Sequence, residues 1–167
     1  MINAVDFVGF SGAGKTTLVE QLVKIFTQRG YRVGAIKDAH HNVDVDKPGK
    51  DTYRFREAGA KKVIVRTEKR WALMVESEEK LSLEELLKEV QDCDLILIEG
   101  FKSERTPTIR LEVWRDARTD VPQIFRKDPT ITAVVTDKTS IEDCSLPLLD
   151  INNPTKVADW IEQRIRQ

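Results

Sequence analysis

Length, composition and charge already narrow the possibilities for this chain of 167 residues. Its 27 Lys and Arg nearly balance its 28 Asp and Glu, so bulk charge favours neither nucleic acid nor a membrane surface as a partner. The two cysteines are too few for a secreted disulfide framework, and no apolar run is long enough to span a membrane. We therefore expect one cytoplasmic domain over residues 1–167.

Short apolar runs alternate along the chain with apolar residues at helical spacing. The short runs predict strands, and residues repeating at i, i+4 and i+8 predict helices. The predicted elements are, in chain order, a strand at 5–8, a helix over 18–26 ending by Gly30, a strand at 33–36, a polar loop at 38–50, a short helix at 51–58, neighbouring strands at 63–65 and 71–75, a helix capped by Ser82, strands at 95–98, 109–113 and 133–135, and a C-terminal helix over 157–165.

The order of these elements predicts the fold class. Strands that alternate with helices indicate an α/β domain with a mainly parallel sheet and helices on both faces. Within the run at 109–113, Arg110 and Glu112 alternate with apolar residues. That alternation predicts a half-exposed antiparallel strand. We therefore expect a mainly parallel sheet with an added antiparallel strand or hairpin.

The clearest chemical signal follows the first strand, where residues 9–16 read Gly-Phe-Ser-Gly-Ala-Gly-Lys-Thr and match G-x-x-x-x-G-K-[ST] in full. Such a loop turns its backbone N–H groups toward phosphate, and the next helix adds its positive end. Lys15 supplies charge for the β and γ phosphates, the Thr16 hydroxyl is placed to ligate Mg²⁺, and Thr17 can reach the α phosphate. The sequence thus predicts a P-loop NTPase. Its candidate nucleotide-binding residues in this loop are Gly9, Ser11, Gly12, Ala13, Gly14, Lys15, Thr16 and Thr17.

A bound triphosphate also needs a carboxylate that holds or orients the hydrated metal. Glu99 ends the apolar run at 95–98, and ligands of parallel sheets lie at the carboxyl ends of the strands. We expect Glu99 to bind the metal with Thr16 and to be catalytic together with Lys15. Asp38 ends the second strand similarly and is a further metal candidate. For both acids, the alternative is an ordinary polar residue at a strand end.

The polar loop after the second strand contains His40 and His41, followed by Lys47 and Lys50. Adjacent residues of an extended segment point to opposite sides, so the two histidines would chelate one metal poorly. Three interpretations stay open: a mobile loop over the phosphates, a zinc site, and a solvated surface loop. Lys102 is a second basic group expected near the phosphates and is a nucleotide-binding candidate.

The N-K-x-D signature with which many GTPases read guanine is absent from this sequence. Asp137 follows the run at 133–135, at a strand end where base-reading residues are found. A carboxylate there could accept from N1–H and the N2 amino group of guanine, which adenine lacks. The alternative is a plain turn, so the motif alone does not separate GTP from ATP.

Besides the phosphate loop, the chain has two distinctive stretches, the acidic loop at 44–51 and the segment at 98–102 that contains Glu99. Together with the phosphate loop, they resemble the MobB family, the adapter proteins of molybdopterin-guanine dinucleotide biosynthesis. The phosphate loop is common to many proteins, whereas the acidic loop and the Glu99 segment are more specific. The resemblance covers almost the whole chain, through segments 10–17, 36–41, 44–51, 70–74, 98–102 and 149–152.

The resemblance implies a GTP-binding protein with weak GTPase activity that needs Mg²⁺ and assists the guanylyltransferase joining GMP to molybdopterin. It also implies a homodimer whose sheets meet across the interface, which the half-exposed strand at 109–113 would suit. One residue departs from the family pattern, which has a histidine directly after the lysine matching Lys37. Asp38 stands there instead, so any role of that histidine does not transfer.

Two other functions stay open at this stage. A P-loop small-molecule kinase would use the same loop and would add a basic lid, for which Arg54, Arg56 and Arg66 are available. A nucleotide-dependent scaffold would bind its partner without any catalytic role.

Overall fold

The computed structural model describes residues 3–39, 43–101, 109–118 and 121–166. Within them, most predicted elements are present with bounds close to those expected. The elements are β1 (Ala4–Val8), α1 (Lys15–Gln28), β2 (Val33–Lys37), α2 (Asp51–Glu57), β3 (Lys62–Arg66), β4 (Trp71–Val75), α3 (Leu83–Lys88), β5 (Leu95–Glu99), β6 (Ile109–Val113), β7 (Ala133–Thr136), β8 (Leu148–Asp150) and α4 (Pro154–Ile165), with short 3₁₀ turns at Asp116–Arg118 and Ile124–Arg126.

The chain divides into two compact units, which we describe separately. The larger unit comprises Met1–Asp38 with Leu83–Gln167, and the smaller comprises Ala39–Ser82. The expectation of one nucleotide-binding domain over residues 1–167 stays a prediction. No helix of the described residues is long and apolar enough to cross a membrane.

A six-stranded sheet in the order β2-β5-β1-β6-β7-β8 forms the larger unit, and every pairing in it is parallel. This confirms the predicted mainly parallel α/β class. Parallel strands need crossover connections, which place helices on both faces of the sheet. Helices α1 and α4 cover one face and α3 covers the other.

The two faces bury alternate residues of the same strands, since successive side chains point to opposite sides. On one face, Phe7 and Leu97 pack with the stripe that α1 carries at Leu18, Leu22 and Phe26. On the other face, Ala4, Ile96 and Ile98 pack against Leu83 of α3. All five residues of β1 and of β5 are buried, as expected for central strands covered on both sides.

The prediction that 109–113 forms a half-exposed antiparallel strand is wrong. Strand β6 pairs in parallel with both β1 and β7, and its polar residues are buried, Arg110 at 2% exposure and Glu112 at 0%. Their polar groups have partners inside the protein. Glu112 accepts hydrogen bonds from the backbone N–H groups of Ile124 at 2.6 Å and Phe125 at 2.7 Å. Because β6 is an inner strand, it cannot be the place where two sheets meet in a dimer.

Arg110 also accounts for Asp6, the acid within apolar β1. The two residues are direct neighbours across the β1–β6 pair, and the Arg110 Nε atom lies 3.0 Å from Asp6 Oδ2. Arg110 further lies 3.3 Å from Asp128 Oδ2 and donates to the carbonyl oxygen of Phe101 at 2.7 Å. A charged network is thus built into the second face of the sheet.

The smaller unit contains the antiparallel addition that the sequence predicted. Strands β3 and β4 form a two-stranded hairpin, with Val63 opposite Met74 and Ile64 opposite Leu73. Val63 is buried, whereas Ile64 on the other face is 66% exposed. The hairpin therefore has one covered face and one open apolar face.

Candidate nucleotide-binding site

The predicted phosphate loop joins β1 to α1 and contains two positions that need glycine. A Cβ on Gly9 would lie 2.4 Å from the carbonyl oxygen of Val113, too close for any side chain. Gly14 has φ +97° and is the N-cap of α1, a conformation that L side chains rarely adopt. The glycine spacing of the motif thus follows from the close approach of β6 and from the turn into the helix.

Lys15 lies over this loop. Its Nζ atom donates to the carbonyl oxygens of Gly9 at 3.0 Å and Phe10 at 2.9 Å. Ala13 is buried in the core, whereas Ser11 and Gly12 are exposed on the loop. The ammonium group is therefore positioned at the mouth of the loop, where a bound phosphate chain would meet it.

The structure brings together the two residues predicted to hold the metal, although 83 positions separate them in the chain. The Thr16 hydroxyl donates to Glu99, with Oγ1 lying 2.8 Å from Oε1 and 3.1 Å from Oε2. The Lys37 ammonium lies 3.3 Å from both Thr16 Oγ1 and Glu99 Oε1. A hydroxyl and a nearly buried carboxylate that already attract a cation are ligands that suit Mg²⁺.

Asp38 lies next to this group through the backbone. Its N–H donates to the carbonyl oxygen of Glu99 at 2.8 Å, which ties the end of β2 to the end of β5. Gly100 has φ +103°, and a Cβ there would lie 2.8 Å from the Asp38 carbonyl oxygen. The role of the Asp38 carboxylate in metal binding stays a prediction.

Among the described residues, no three His, Cys, Asp or Glu side chains gather into a metal-binding cluster. Mg²⁺ does not need one, because it is held by one or two protein oxygens together with phosphate oxygens and water. The Thr16–Glu99 pair fits that pattern of coordination.

A second part of the site lies on the other side of the loop. Asp137 follows β7, and its Oδ1 atom accepts the backbone N–H of Asp116 at 3.0 Å. Its Oδ2 atom lies 3.9 Å from a terminal nitrogen of Arg115. Arg115 lies on the wall of a depression of about 210 Å³, and Asp137 reaches that wall only through Arg115. The lining residues of that depression are Gly14, Thr17, Leu18, Gln21, Arg115, Ile151 and Asn152.

Three of the residues in or beside the site were not identified from the sequence: Lys37, Arg115 and Asn152. Each stands at or just after the carboxyl end of a strand, at β2, β6 and β8 respectively. Because the sequence predicts strands β2 and β6, their carboxyl ends could have identified Lys37 and Arg115 as site residues. The same inference was not available for Asn152, because the three-residue strand β8 was not predicted.

Several candidates lie elsewhere or outside the described residues. Lys102, His40 and His41 fall outside them, so their predicted roles stay predictions. In the smaller unit, the acidic residues of the polar loop bind Arg56, which lies 3.2 Å from Asp44 Oδ2 and 3.4 Å from Asp46 Oδ2. The acidic loop therefore makes these ion pairs within the smaller unit.

Comparison with known proteins identifies the family. The model of the family described as molybdopterin guanine dinucleotide synthesis protein B, MobB, matches residues 4–137. This chain belongs to the MobB family. The resemblance noted in the sequence is thereby confirmed.

Individual MobB proteins agree with this assignment over nearly the full length. A molybdopterin-guanine dinucleotide biosynthesis adapter protein of Escherichia coli is 43% identical over 165 residues, covering 96% of this chain and 92% of the relative. The corresponding Haemophilus influenzae protein is 40% identical over 163 residues, covering 96% and 88%. The crystal structure of Bacillus subtilis MobB has a TM-score of 0.75 at 23% identity, covers 98% of both chains, and supports the fold.

Proposed function

We propose that this chain is a Mg²⁺-dependent GTP-binding adapter with weak GTPase activity, which assists a guanylyltransferase in forming molybdopterin-guanine dinucleotide. The observation that carries the proposal is the Thr16–Glu99 contact of 2.8 Å beside a complete phosphate loop. The Escherichia coli and Haemophilus influenzae relatives are named adapter proteins of that biosynthesis, and the guanine in its product favours GTP as the nucleotide.

Different residues would bind the phosphates and the metal of a triphosphate. The N–H groups of residues 12–17 and the ammonium of Lys15 would bind the phosphates, while Thr16 and Glu99 would hold Mg²⁺. The metal, when bound, neutralises phosphate charge. Lys37 is a further cation at the same place, 3.3 Å from Glu99.

We expect slow hydrolysis because, among the described residues, the arginine beside the phosphate loop lies away from the expected γ-phosphate position. Phosphoryl transfer depends mainly on positioning and on stabilising charge, and GTPases that lack an arginine at the γ phosphate hydrolyse slowly. Arg115 lies beside Gly14, on the side of Thr17, and Thr17 is the residue expected to contact the α phosphate. We therefore expect turnover to be slow for this chain alone.

Binding and turnover of Mg²⁺ complexes of GTP and ATP test the proposal in the wild type, Lys15→Ala and Glu99→Gln. We expect GTP to bind in preference to ATP, and Lys15→Ala to lose at least about tenfold in affinity, since a charge-assisted contact is removed. Glu99→Gln should weaken the dependence of binding on Mg²⁺. Lys24→Ala and Glu20→Gln, on the exposed side of α1, are matched controls that should change neither.

Other outcomes would point to other functions. Preferential ATP binding with transfer to a small acceptor would establish a kinase. Full partner activation by a variant that binds GTP without hydrolysing it would establish a scaffold. Unchanged GTP affinity in Lys15→Ala would contradict the phosphate site itself.

The same proposal includes a homodimer and a cytoplasmic location. Its support for a dimer is the open apolar face of the β3–β4 hairpin, because exposed apolar patches mark protein–protein contacts.

A further inference from the structure

The depression on the far side of the phosphate loop has the composition of a polar recognition site. It adjoins Gly14 and Thr17, so a nucleotide bound in the loop would extend its nucleoside end toward it. Its polar side chains at the rim include Gln21, Arg115 and Asn152. Arg115 is the cationic side chain of this wall.

Arg115 has a neighbour on each of two sides. The position that a Cβ on Gly14 would occupy lies 3.3 Å from the Arg115 Nε atom, so the guanidinium packs directly against the loop. On its other side, Asp137 Oδ2 lies 3.9 Å away. The side chain of Arg115 is still 36% exposed, which leaves donors free to face a ligand.

Asp137 is already engaged by the protein. Its Oδ1 atom accepts the Asp116 N–H at 3.0 Å, and the Asp116 carboxylate in turn lies 3.0 Å from the Lys138 ammonium. This arrangement ties the residues after β6 to those after β7. Oδ1 of Asp137 is thus occupied by the backbone, and Oδ2, 3.9 Å from a terminal nitrogen of Arg115, is placed to orient the guanidinium by its charge.

The chemistry of arginine then distinguishes the two purines. A guanidinium carries only donors, and guanine presents two acceptors, O6 and N7, on one edge. Adenine presents N7 with the N6 amino donor on that edge, which opposes a second guanidinium N–H.

We propose that Arg115 selects guanine by donating to O6 and N7 of the base, and that Asp137 is the positioning residue that orients it. The inference rests on the proposed function, because it assumes that the triphosphate lies in the phosphate loop. It differs from direct reading of N1–H and the N2 amino group by Asp137, which uses the neighbouring Watson–Crick edge of guanine.

Nucleotide analogues separate the two edges in the wild-type protein. We expect 7-deaza-GTP, which lacks the N7 acceptor, to bind about tenfold more weakly than GTP, and ITP, which lacks the N2 amino group, to bind as GTP does. The reverse pattern, with ITP weakened and 7-deaza-GTP unchanged, would overturn the proposal in favour of Asp137.

Variants assign the effect to residues. Arg115→Met should lose about tenfold to a hundredfold in GTP affinity with ATP affinity unchanged, so that the preference for GTP disappears. Equal losses for GTP and ATP would overturn base selection, since they would place the guanidinium on phosphate or ribose. Arg32→Met, which removes an arginine before β2 at the other edge of the sheet, is the matched control and should keep the preference.

The positioning role of Asp137 has its own readout. Asp137→Asn keeps an acceptor for the Asp116 N–H but removes the charge facing Arg115, so it should lower the ratio of GTP to ATP affinity. Combining it with Arg115→Met should lower the ratio no further. If Asp137→Asn instead gains XTP binding, the carboxylate reads the base directly and the proposal is wrong.

The same measurements distinguish this inference from the proposed function. If no nucleoside triphosphate binds, or if binding does not need Lys15, the proposed function and the inference both fail. If GTP binds through Lys15 but 7-deaza-GTP binds equally well, only the inference fails.

Discussion

Gly100 shows how one residue sets the spacing of the part of the site where metal binding is predicted. It follows Glu99 directly and has φ +103°, with the Asp38 carbonyl oxygen 2.8 Å from where a Cβ would stand. Asp38 also donates its N–H to the Glu99 carbonyl at 2.8 Å. The chain just after β5 can therefore leave the sheet against the end of β2 only if residue 100 has no side chain.

Gly100→Ala should lower the free energy of unfolding by about 2–3 kcal/mol, since it adds both backbone strain and a clash with backbone. It should also weaken Mg²⁺-dependent GTP binding by displacing Glu99. Urea unfolding and nucleotide titration measure the two effects.

Gly59→Ala is the matched control, because Gly59 has φ +102° but nothing lies within 4 Å of the place that its Cβ would occupy. It carries the strain without the clash and should cost only about 1 kcal/mol. Equal costs at the two positions would contradict the role assigned to the close approach of Asp38.

At the scale of elements, the β1–β6 pair carries charge in the interior. Asp6 and Arg110 are 0% and 2% exposed and lie 3.0 Å apart. Burial raises the pKa of the Asp6 carboxyl to about 7, against the opposing effect of the Arg110 guanidinium. Arg110 also donates to the Phe101 carbonyl, so this network anchors the chain just after Glu99 and Gly100.

The raised pKa of Asp6 predicts a pH dependence of stability. Between its ordinary value of 3.8 and about 7, the folded state retains a proton that the unfolded state has released. Stability therefore falls as pH rises through this window. Asp6→Asn should remove the dependence, so that its free energy of unfolding improves relative to wild type by up to about 1.4 kcal/mol per pH unit.

Asp94→Asn provides a control of opposite sign. Hydrogen bonds from Arg32 lower the pKa of Asp94 to about 2, so its contribution to stability is lost only as pH falls below the ordinary value. Urea denaturation from pH 3 to 8 measures both variants. A constant difference between Asp6→Asn and wild type across pH 4–7 would show that Asp6 is ionised throughout.

At the scale of the whole molecule, the exposed apolar surface indicates where a partner would bind, whereas the net charge does not. The net charge of −1 favours neither an acidic nor a basic partner. In the part of the chain that the structure describes, the exposed large apolar side chains lie in the smaller unit. One hairpin face presents Ile64 and Trp71, both 66% exposed, with Leu73 at 42%. A second copy of this chain would cover that face in the proposed homodimer.

Replacing Trp71 and Leu73 together by Ser should therefore weaken dimerisation by about tenfold or more, because buried aromatic residues dominate interface energies. Both side chains are exposed in the single chain, so the fold should survive, which circular dichroism checks. Sedimentation equilibrium measures the association. Exchanging the charged Lys88, on helix α3, for Ser is the control, and an undiminished dimer in the double variant would place the interface elsewhere.

The sequence alone predicted the features that depend on local chemistry. The phosphate loop, the turn at Gly30 and the helices α1 and α4 follow from glycine positions and from apolar spacing, which act over a few residues. The strong apolar runs at β5 and β7 likewise identified inner strands. An added antiparallel strand or hairpin was also predicted, but the antiparallel strand was expected at 109–113, whereas the hairpin is formed by β3 and β4.

Only the tertiary structure decided which polar residues are buried through contacts with residues distant in the chain. The alternation in β6 is typical of an exposed strand, but both polar residues are buried. Arg110 forms ion pairs with Asp6 and Asp128, and Glu112 accepts hydrogen bonds from backbone N–H groups of a later turn. Distance along the sequence does not reveal such pairing.

The candidate site also contains residues that the sequence predicts and residues that only the fold places. The motif identified Lys15 and Thr16, and the position at a strand end identified Glu99, but only the fold showed that Thr16 and Glu99 meet at 2.8 Å. Only the fold placed Arg115 against Gly14 and beside Asp137. Local residue chemistry thus determined which groups are predicted to meet the phosphates. The order of the parallel strands decided which side chains lie around the phosphate loop, since it brings distant strand ends to one edge.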